Sequence, residues 1–159
     1  MKSRWARASD ADAVHRLVSY YADRGLLLPR TEEEVRAHIS HFIVLVEGEE
    51  TAGCVALEPY GADLAEIRSL AVVPERRGQG LGAALLRAAL DAARRRKIAR
   101  VFAVTHAPEI FGRQGFFATT RFAVPENSTA IAAPAPSSAP AASSPSLLPS
   151  ARKESYSRY

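Results

Sequence analysis

The chain has 159 residues, a length that suits one domain with a real hydrophobic core and hardly two. Its formal net charge is +4, with 18 basic and 15 acidic residues up to Pro125 and 3 and 2 beyond it. Nucleic-acid binding would need a concentrated basic stripe, whereas the densest basic run, at residues 94–97, falls where a helix is predicted to end. We therefore expect an anionic small molecule, and no nucleic acid, as the partner.

The cysteine content and the hydropathy indicate in which cellular compartment the protein is expected. Cys54 is the only cysteine, so no disulfide can form within the chain, and a reducing environment is expected. The first residues lack the apolar run of a secretory signal, and no later stretch approaches the length of a membrane span. The expectation is a soluble cytoplasmic protein without membrane contacts, in which Cys54 is a buried strand residue rather than a nucleophile.

Hydrophobic periodicity predicts the order strand, two helices, three strands, helix, strand, helix, strand. In chain order these are a strand at residues 4–8, a helix from Ser9 to Gly25, a helix after Thr31, strands at residues 42–47, 52–57 and 64–73, a helix at residues 81–97, a strand at residues 100–104, a helix at residues 108–114 and a strand from Phe116. Capping-box patterns, Ser9 with Asp12 and Thr31 with Glu34, support the first two helices. The order predicts an α/β (mixed α+β) fold with a central mixed sheet and helices on both faces.

The composition changes abruptly after Pro125. Of the last 34 residues, 22 are alanine, serine or proline. Such a segment buries too little apolar surface to offset its ordering entropy. We expect a folded domain over residues 1–125 and a disordered Ala/Ser/Pro-rich tail over residues 126–159, with no residues left to form a further strand.

A basic, glycine-rich loop joins the strand at residues 64–73 to the long helix. Glycines 78, 80 and 82 carry no Cβ, so the backbone can bend sharply and point N–H groups at an anion, to which the helix N-terminus adds its positive end. This predicts a pyrophosphate-bearing ligand. A dinucleotide fingerprint would need an acidic residue about 20 positions on, and a Walker loop would need Lys-Ser or Lys-Thr; neither is present. A plain turn whose glycines serve only close packing is the alternative.

Two motifs carry a resemblance to a known family. Arg77-x-x-Gly80-x-Gly82 after a V-x-P strand end resembles the coenzyme A loop of the GNAT superfamily of N-acetyltransferases, and residues 110–116 are similar to its F-Y-x-x-x-G-F element. The resemblance covers residues 4–125 and implies the GNAT fold, acetyl-CoA as cofactor and direct attack of an amine on the thioester. Family members normally have one more strand at the carboxy end, so the tail predicts a sheet without it. A homodimer formed through sheet edges is compatible with the resemblance.

The resemblance also implies which residues contact the cofactor. Loop amides would take the pyrophosphate, and the strand before the loop would bind the pantetheine arm as an added strand does. The implied contacts are Leu70, Ala71, Val72, Arg77, Gly78, Gln79, Gly80, Leu81, Gly82, Ala83, His106 and Phe111. A backbone N–H of Leu70 or Ala71 would stabilise the oxyanion.

The acceptor amine must lose a proton before it can attack, so a base is needed. Strand alternation predicts that Glu66, Arg68, Leu70 and Val72 share one face, which makes Glu66 the candidate base. An ordinary surface pair between Glu66 and Arg68 is the alternative interpretation.

The family's tyrosine general acid corresponds to Phe111 here, which has no hydroxyl. Tyr60, His106 or water could protonate the thiolate instead, or the thiolate could leave unassisted. For His106, a packing or solvent-exposed role is the alternative.

Segments at residues 25–30, 63–68 and 101–105 are similar to the short bacterial N-acetylglutamate synthases, which are amino-acid N-acetyltransferases. The resemblance implies a glutamate-like acceptor, for whose carboxylates Arg30 and Arg68 are candidate clamps. Another small amine as acceptor, and a non-catalytic acyl-CoA-binding module, both stay open.

The sequence also holds a histidine pair, His38 and His41, near a helix end. No third ligand accompanies them in the sequence, and no cysteine cluster or H-E-x-x-H pattern occurs. We interpret them as structural or surface histidines and expect no metal.

Overall fold

The computed structural model describes residues 1–119 and 129–134. Within these ranges lie seven strands and four α-helices: β1 Lys2–Trp5, α1 Ala11–Ala22, α2 Glu32–Ala37, β2 Phe42–Glu47, β3 Glu50–Pro59, β4 Leu64–Val72, α3 Leu81–Arg95, β5 Arg100–Thr105, α4 Pro108–Gly112, β6 Phe117–Ala118 and β7 Thr129–Pro134. The strands form one sheet in the order β1-β2-β3-β4-β5-β7-β6, in which only β4 and β5 run parallel. None of the helices in this part of the chain has the length and apolarity to cross a bilayer.

Helices cover both faces of the sheet, which confirms the predicted architecture. On one face, α1 and α2 bury a cluster that includes Val14, Val35 and Cys54. On the other face, α3 and α4 bury a second cluster that includes Leu85 and Phe111. Burial raises the pKa of the Cys54 thiol to about 12, so the thiol stays protonated, as expected of a buried strand cysteine.

The two predicted capping boxes have different outcomes. The Thr31–Glu34 box is confirmed: Thr31 N–H donates to Glu34 Oε2 at 2.7 Å, and Glu34 N–H donates to Thr31 Oγ1 at 3.1 Å. The box expected before α1 is wrong. There the Asp10 carboxylate accepts the backbone N–H of Arg7 at 2.6 Å and the Arg4 guanidinium at 2.7 and 3.0 Å. The hydrogen bond from Arg4 is the main reason why the pKa of Asp10 is lowered.

The strand β7 contradicts the expectation of a sheet without its last strand. It pairs antiparallel with β5, from Arg100–Pro134 to Thr105–Thr129, and with β6 on its other side. Ile131 and Ala132 are buried. An interior strand is held by backbone hydrogen bonds to both neighbours, so composition alone does not reveal it. The remainder of the predicted disordered tail, residues 126–128 and 135–159, lies outside the described residues.

Candidate active site

The two parallel strands β4 and β5 separate part-way along their length. Their register joins Leu64 through Ile67 to Arg100 through Ala103 and then stops, although β4 continues to Val72 and β5 to Thr105. A cavity of about 490 Å³ opens where the pairing ends. Within the described part of the chain, no strand pairs with the facing edges of β4 and β5 beyond this point, so their backbone groups border the cavity.

The cavity passes through the sheet rather than lying on one face. Tyr21, Leu26 and Leu27 line it from the side of α1. From the side of α3 and α4 it is lined by Leu81 and Phe111. Two molecules that approach from opposite faces could therefore meet at the gap between β4 and β5.

A β-bulge at Ser69 shapes β4 beside this gap. Ser69 has a positive φ of 52°, and the register with β3 sets Arg68 opposite Ala56 but Ala71 opposite Cys54. The three-residue advance from Arg68 to Ala71 on β4 is therefore matched by a two-residue advance between Ala56 and Cys54 on β3. The strand β4 thus contains one extra residue at this point.

Because of the bulge, the prediction that Glu66, Arg68, Leu70 and Val72 share one face of the strand is wrong. Beyond it, Leu70 and Val72 pack with the cluster under α3, whereas Ala71 packs with the cluster under α1. Glu66 lies before the bulge, opposite Glu58, whose carboxylate binds Arg30 on the side of α1 and α2. Glu66 and Arg68 therefore face away from Leu70 and Val72, because the extra residue reverses the alternation.

Backbone direction in β4 distinguishes Leu70 from Ala71. The Val73 N–H donates to the Ala52 carbonyl on β3 at 2.9 Å, so Val73 and Ala52 form a hydrogen-bonded pair. Hydrogen-bonded pairs alternate along an antiparallel ladder, so Ala71 and Cys54 form the next such pair, and the Ala71 N–H points toward β3. The Ser69 carbonyl accepts from Cys54 Sγ at 3.5 Å, also toward β3. Because the peptide bonds are trans, the N–H groups of Leu70 and Val72 point away from β3, toward the gap.

The glycine loop, residues 77–83, forms one end of the cavity. Gly78 and Gly80 both have φ of +76°, and a Cβ at either position would meet open space. Gly82 differs, because its Cβ would lie 2.9 Å from Ile110 Cδ1. Two of the three glycines thus serve the bend of the loop, and the third serves close packing of α3 against α4.

The start of α3 is suited to bind an anion. Gly80 is its N-cap and has no side-chain cap, and the Ala84 N–H donates to the Gly80 carbonyl at 3.1 Å. The N–H groups of residues 81–83 precede that bond and have no helical acceptor, and these residues line the cavity. Arg77 and Arg113 line it too. The arrangement fits a pyrophosphate, as predicted, although Gln79 is exposed and does not line the cavity.

Glu66 is a buried carboxylate close to the gap. Its exposed fraction is 2%, its Oε2 accepts the Tyr60 hydroxyl at 3.0 Å, and Arg68 Nε lies 3.9 Å from Oε2. Burial raises the pKa of Glu66, and the Arg68 charge and the Tyr60 hydrogen bond offset this only in part. A carboxylate with a raised pKa takes up a proton more readily than an exposed one. Glu66 lies behind the cavity wall, to which Ile67 and Arg68 belong.

The two predicted arginine clamps lie in different surroundings. Arg68 lines the cavity, with 18% of its side chain exposed. Arg30 does not line it: its side chain is 7% exposed, binds Glu58 Oε1 at 2.8 Å and lies over the Phe42 ring. Burial acts to raise the pKa of Glu58, but hydrogen bonds and charge from Arg30, together with His41, outweigh it and lower that pKa. We call Arg30, Glu58, Glu66 and Arg68 the charged face.

Other cavity residues were missed or only partly anticipated. The Tyr21 hydroxyl donates to the Val72 carbonyl at 2.6 Å and joins α1 to the end of β4, and burial raises the pKa of Tyr21. Periodicity marks Tyr21 only as an apolar helix position, so no sequence signal locates its hydroxyl. His106 lines the cavity, and Phe111, 4% exposed, packs edge-on against Phe116.

Residues 7–117 match the acetyltransferase (GNAT) family. The chain belongs to this family. It is 37% identical over 111 residues to an uncharacterised N-acetyltransferase of Chlorobaculum tepidum, covering 70% of this chain and 72% of that protein. It is 36% identical over 116 residues to the amino-acid acetyltransferase of Mycobacterium tuberculosis, covering 71% and 66%.

Solved structures give the same family assignment. N-acetylglutamate synthase of Neisseria gonorrhoeae, complexed with coenzyme A and N-acetyl-glutamate, superposes with a TM-score of 0.79 at 30% identity over 86% of this chain. This GNAT chain spans only 35% of that synthase, so it corresponds to one part of it. The predicted family and fold are thereby confirmed, and the GNAT chain is an N-acetyltransferase.

Proposed function

We propose that this acetyltransferase moves the acetyl group of acetyl-CoA to the α-amine of an amino acid, with glutamate as the acceptor. The observation that carries the proposal is the cavity that crosses the sheet, with the glycine loop at one end and Arg68, in front of Glu66, at the other. Relatives named amino-acid acetyltransferase, and a similar synthase solved with N-acetyl-glutamate, support the choice of acceptor.

On the loop side, the residues present fit the cofactor. The N–H groups of residues 81–83, with the Arg77 side chain beside them, would hold the pyrophosphate. The N–H groups of Leu70 and Val72, which point toward the gap, would bind the amide-bearing arm along β4. His106 and Phe111 would form the opposite wall. When bound, acetyl-CoA supplies an activated thioester.

On the charged face, Arg68 would bind an acceptor carboxylate, since a guanidinium matches a carboxylate with two parallel hydrogen bonds. Arg30 is engaged by Glu58 and would support this face from behind. A dicarboxylic amino acid held by Arg68 would place its amine at the gap, where the cavity joins the two faces.

Glu66 would take the proton of the acceptor ammonium, directly or through one water, and so free the nitrogen lone pair. The freed amine would then form a C–N bond to the acetyl carbonyl carbon, the C–S bond would break, and the nitrogen would lose its second proton to water. The Leu70 N–H would donate to the carbonyl oxygen while negative charge develops on it. Phe111 has no hydroxyl with which to protonate the thiolate, and the Tyr60 hydroxyl donates to Glu66, so the thiolate would take its proton from His106, which lines the cavity, or from water.

The test is release of free thiol from acetyl-CoA by the purified chain across a panel of amino acids and polyamines, with acetyl-CoA binding measured in parallel by calorimetry. We expect turnover with glutamate well above that with glutamine, lysine and spermidine. Turnover restricted to another amine would contradict the acceptor and keep the chemistry. Tight acetyl-CoA binding without turnover on any amine would contradict catalysis and favour a binding module.

A further inference from the structure

Three atoms that commonly bind metal ions converge where the turn after α2 meets β3. His41 Nδ1 lies 2.7 Å and His38 Nδ1 lies 3.7 Å from one oxygen, Oε2 of Glu58. One possible ligand atom from each of the three residues lies within 4.8 Å of those of the other two. Glu58 is 17 residues from His41, and the pairing of Phe42 with Ala56 brings it there, so the third ligand sought in the local sequence lies on the neighbouring strand.

We propose that His38, His41 and Glu58 form a zinc site. Two imidazole nitrogens and one carboxylate oxygen are a donor set that Zn²⁺ accepts in tetrahedral geometry. Bonds of about 2.0–2.2 Å at tetrahedral angles separate neighbouring ligand atoms by about 3.4 Å. The His38–Glu58 distance is already close to this value, and the His41–Glu58 distance must widen by roughly 0.7 Å.

The solvent access that binding requires is present. The His38 side chain is 50% exposed and the His41 side chain 27%, so both rings can adjust and an ion can enter from solvent. The Glu58 side chain is 12% exposed. It supplies the fixed point of the site, and a water molecule would complete the fourth coordination position.

Arg30 sets both the orientation and the affinity of the site. It binds Oε1 of Glu58 at 2.8 Å, which holds the carboxylate in place and leaves Oε2 directed at the two histidines. Its positive charge opposes a bound cation, so we expect a Kd for Zn²⁺ in the micromolar range. None of the three ligands lines the cavity, so the bound metal would lie outside it.

The experiment titrates Zn²⁺ into the full chain, carrying no histidine tag, and follows binding by calorimetry, with Co²⁺ absorption as a report on coordination. We expect one equivalent with micromolar Kd and the visible bands of four-coordinate Co²⁺. His38→Ala and His41→Ala should each raise Kd at least tenfold. The matched control His15→Ala, on α1 beside Ser19, should leave it unchanged.

Absence of binding tighter than millimolar would overturn the proposal, as would equal Kd values in wild type, His38→Ala and His41→Ala. Glu58→Gln is a second test, but it also removes the carboxylate that pairs with buried Arg30. Because His38 is half exposed, His38→Ala should fold normally and keeps the result interpretable.

Discussion

The two ends of the proposed active site would recognise their ligands by different means. The glycine loop offers backbone N–H groups from one continuous segment, residues 77–83. The charged face offers side chains from three segments: the loop before α2, β3 and β4. Backbone recognition needs glycines and a helix start in a row, whereas side-chain recognition needs a correct tertiary fold. The backbone site can therefore be predicted from a continuous stretch of sequence, whereas the side-chain site forms only when the strands pair.

This difference predicts how each end responds to substitution. At the loop, a new side chain matters when it fills the space that an anion needs. On the charged face, the loss of one functional group removes a specific chemical role, even when the shape is preserved.

The largest expected effect is that of Glu66→Gln, which keeps the shape but removes the proton acceptor. We expect kcat to fall by about 10²–10⁴-fold, with acetyl-CoA affinity unchanged. Burial raises the pKa of Glu66, and only the carboxylate accepts a proton, so wild-type kcat should rise with pH through a limb above the ordinary glutamate range. Steady-state kinetics across pH checks this. The limb should vanish in Glu66→Gln and persist in the exposed control Glu33→Gln; its persistence in Glu66→Gln would rule out Glu66 as the base.

Gly80→Asp tests the loop end. It places a side chain and a negative charge at an N-cap with φ of +76°, facing the proposed pyrophosphate. We expect the Kd for acetyl-CoA, measured by calorimetry, to rise at least about 100-fold. Gly48→Asp is the matched control, because Gly48 has φ of +61° in open space on the β2–β3 turn. A comparable loss in both variants would assign the effect to backbone strain rather than to the anion site.

Arg68→Ala sharpens the contrast between cofactor and acceptor. Losing a charge-assisted pair should raise KM for the amino acid by about 10- to 100-fold, and KM for acetyl-CoA should stay the same. Arg68→Lys should recover only part of the loss, since lysine lacks the guanidinium fork. Initial-rate kinetics with each substrate varied in turn provides the measurement, and exposed Arg87→Ala serves as control. An unchanged amino-acid KM would contradict the clamp.

The smallest expected effect concerns the bulge that separates the two ends. Ser69→Val puts a β-branched residue at φ of 52° and should lower the free energy of unfolding by about 1–2 kcal/mol. Ser69→Gly should be neutral or slightly stabilising in the same urea titration. Equal stability of the valine and glycine variants would show that the positive φ does not constrain this position.

The success of the sequence predictions also differs between features set by neighbouring residues and features set by contacts between distant elements. The glycine loop, the Phe42–Glu47 strand and the Thr31–Glu34 cap depend on neighbours in the chain, and all three were predicted at the observed positions. The direction of Leu70 was mispredicted, because strand alternation assumes no extra residue and the Ser69 bulge shows only against β3.

Long-range groupings were beyond sequence reasoning for a related reason. Glu58 joins Arg30 across 28 residues and His41 across 17, and no local pattern marks these pairs. Asp10, rather than Ser9, organises the entry to α1, because Arg4 on β1 reaches it with two hydrogen bonds. In each case the partner that decides the role lies on a different element.

The position of β7 has a consequence for where the chain can be shortened. Because β7 lies between β5 and β6, a protein ending at Pro125 would leave the whole length of β5 as an open sheet edge and would separate β6 from the sheet. An open edge of this kind pairs readily with other chains and promotes aggregation. The short strand β7 covers this edge through its backbone pairing with β5, and its Ile131 side chain adds to the core beneath α3.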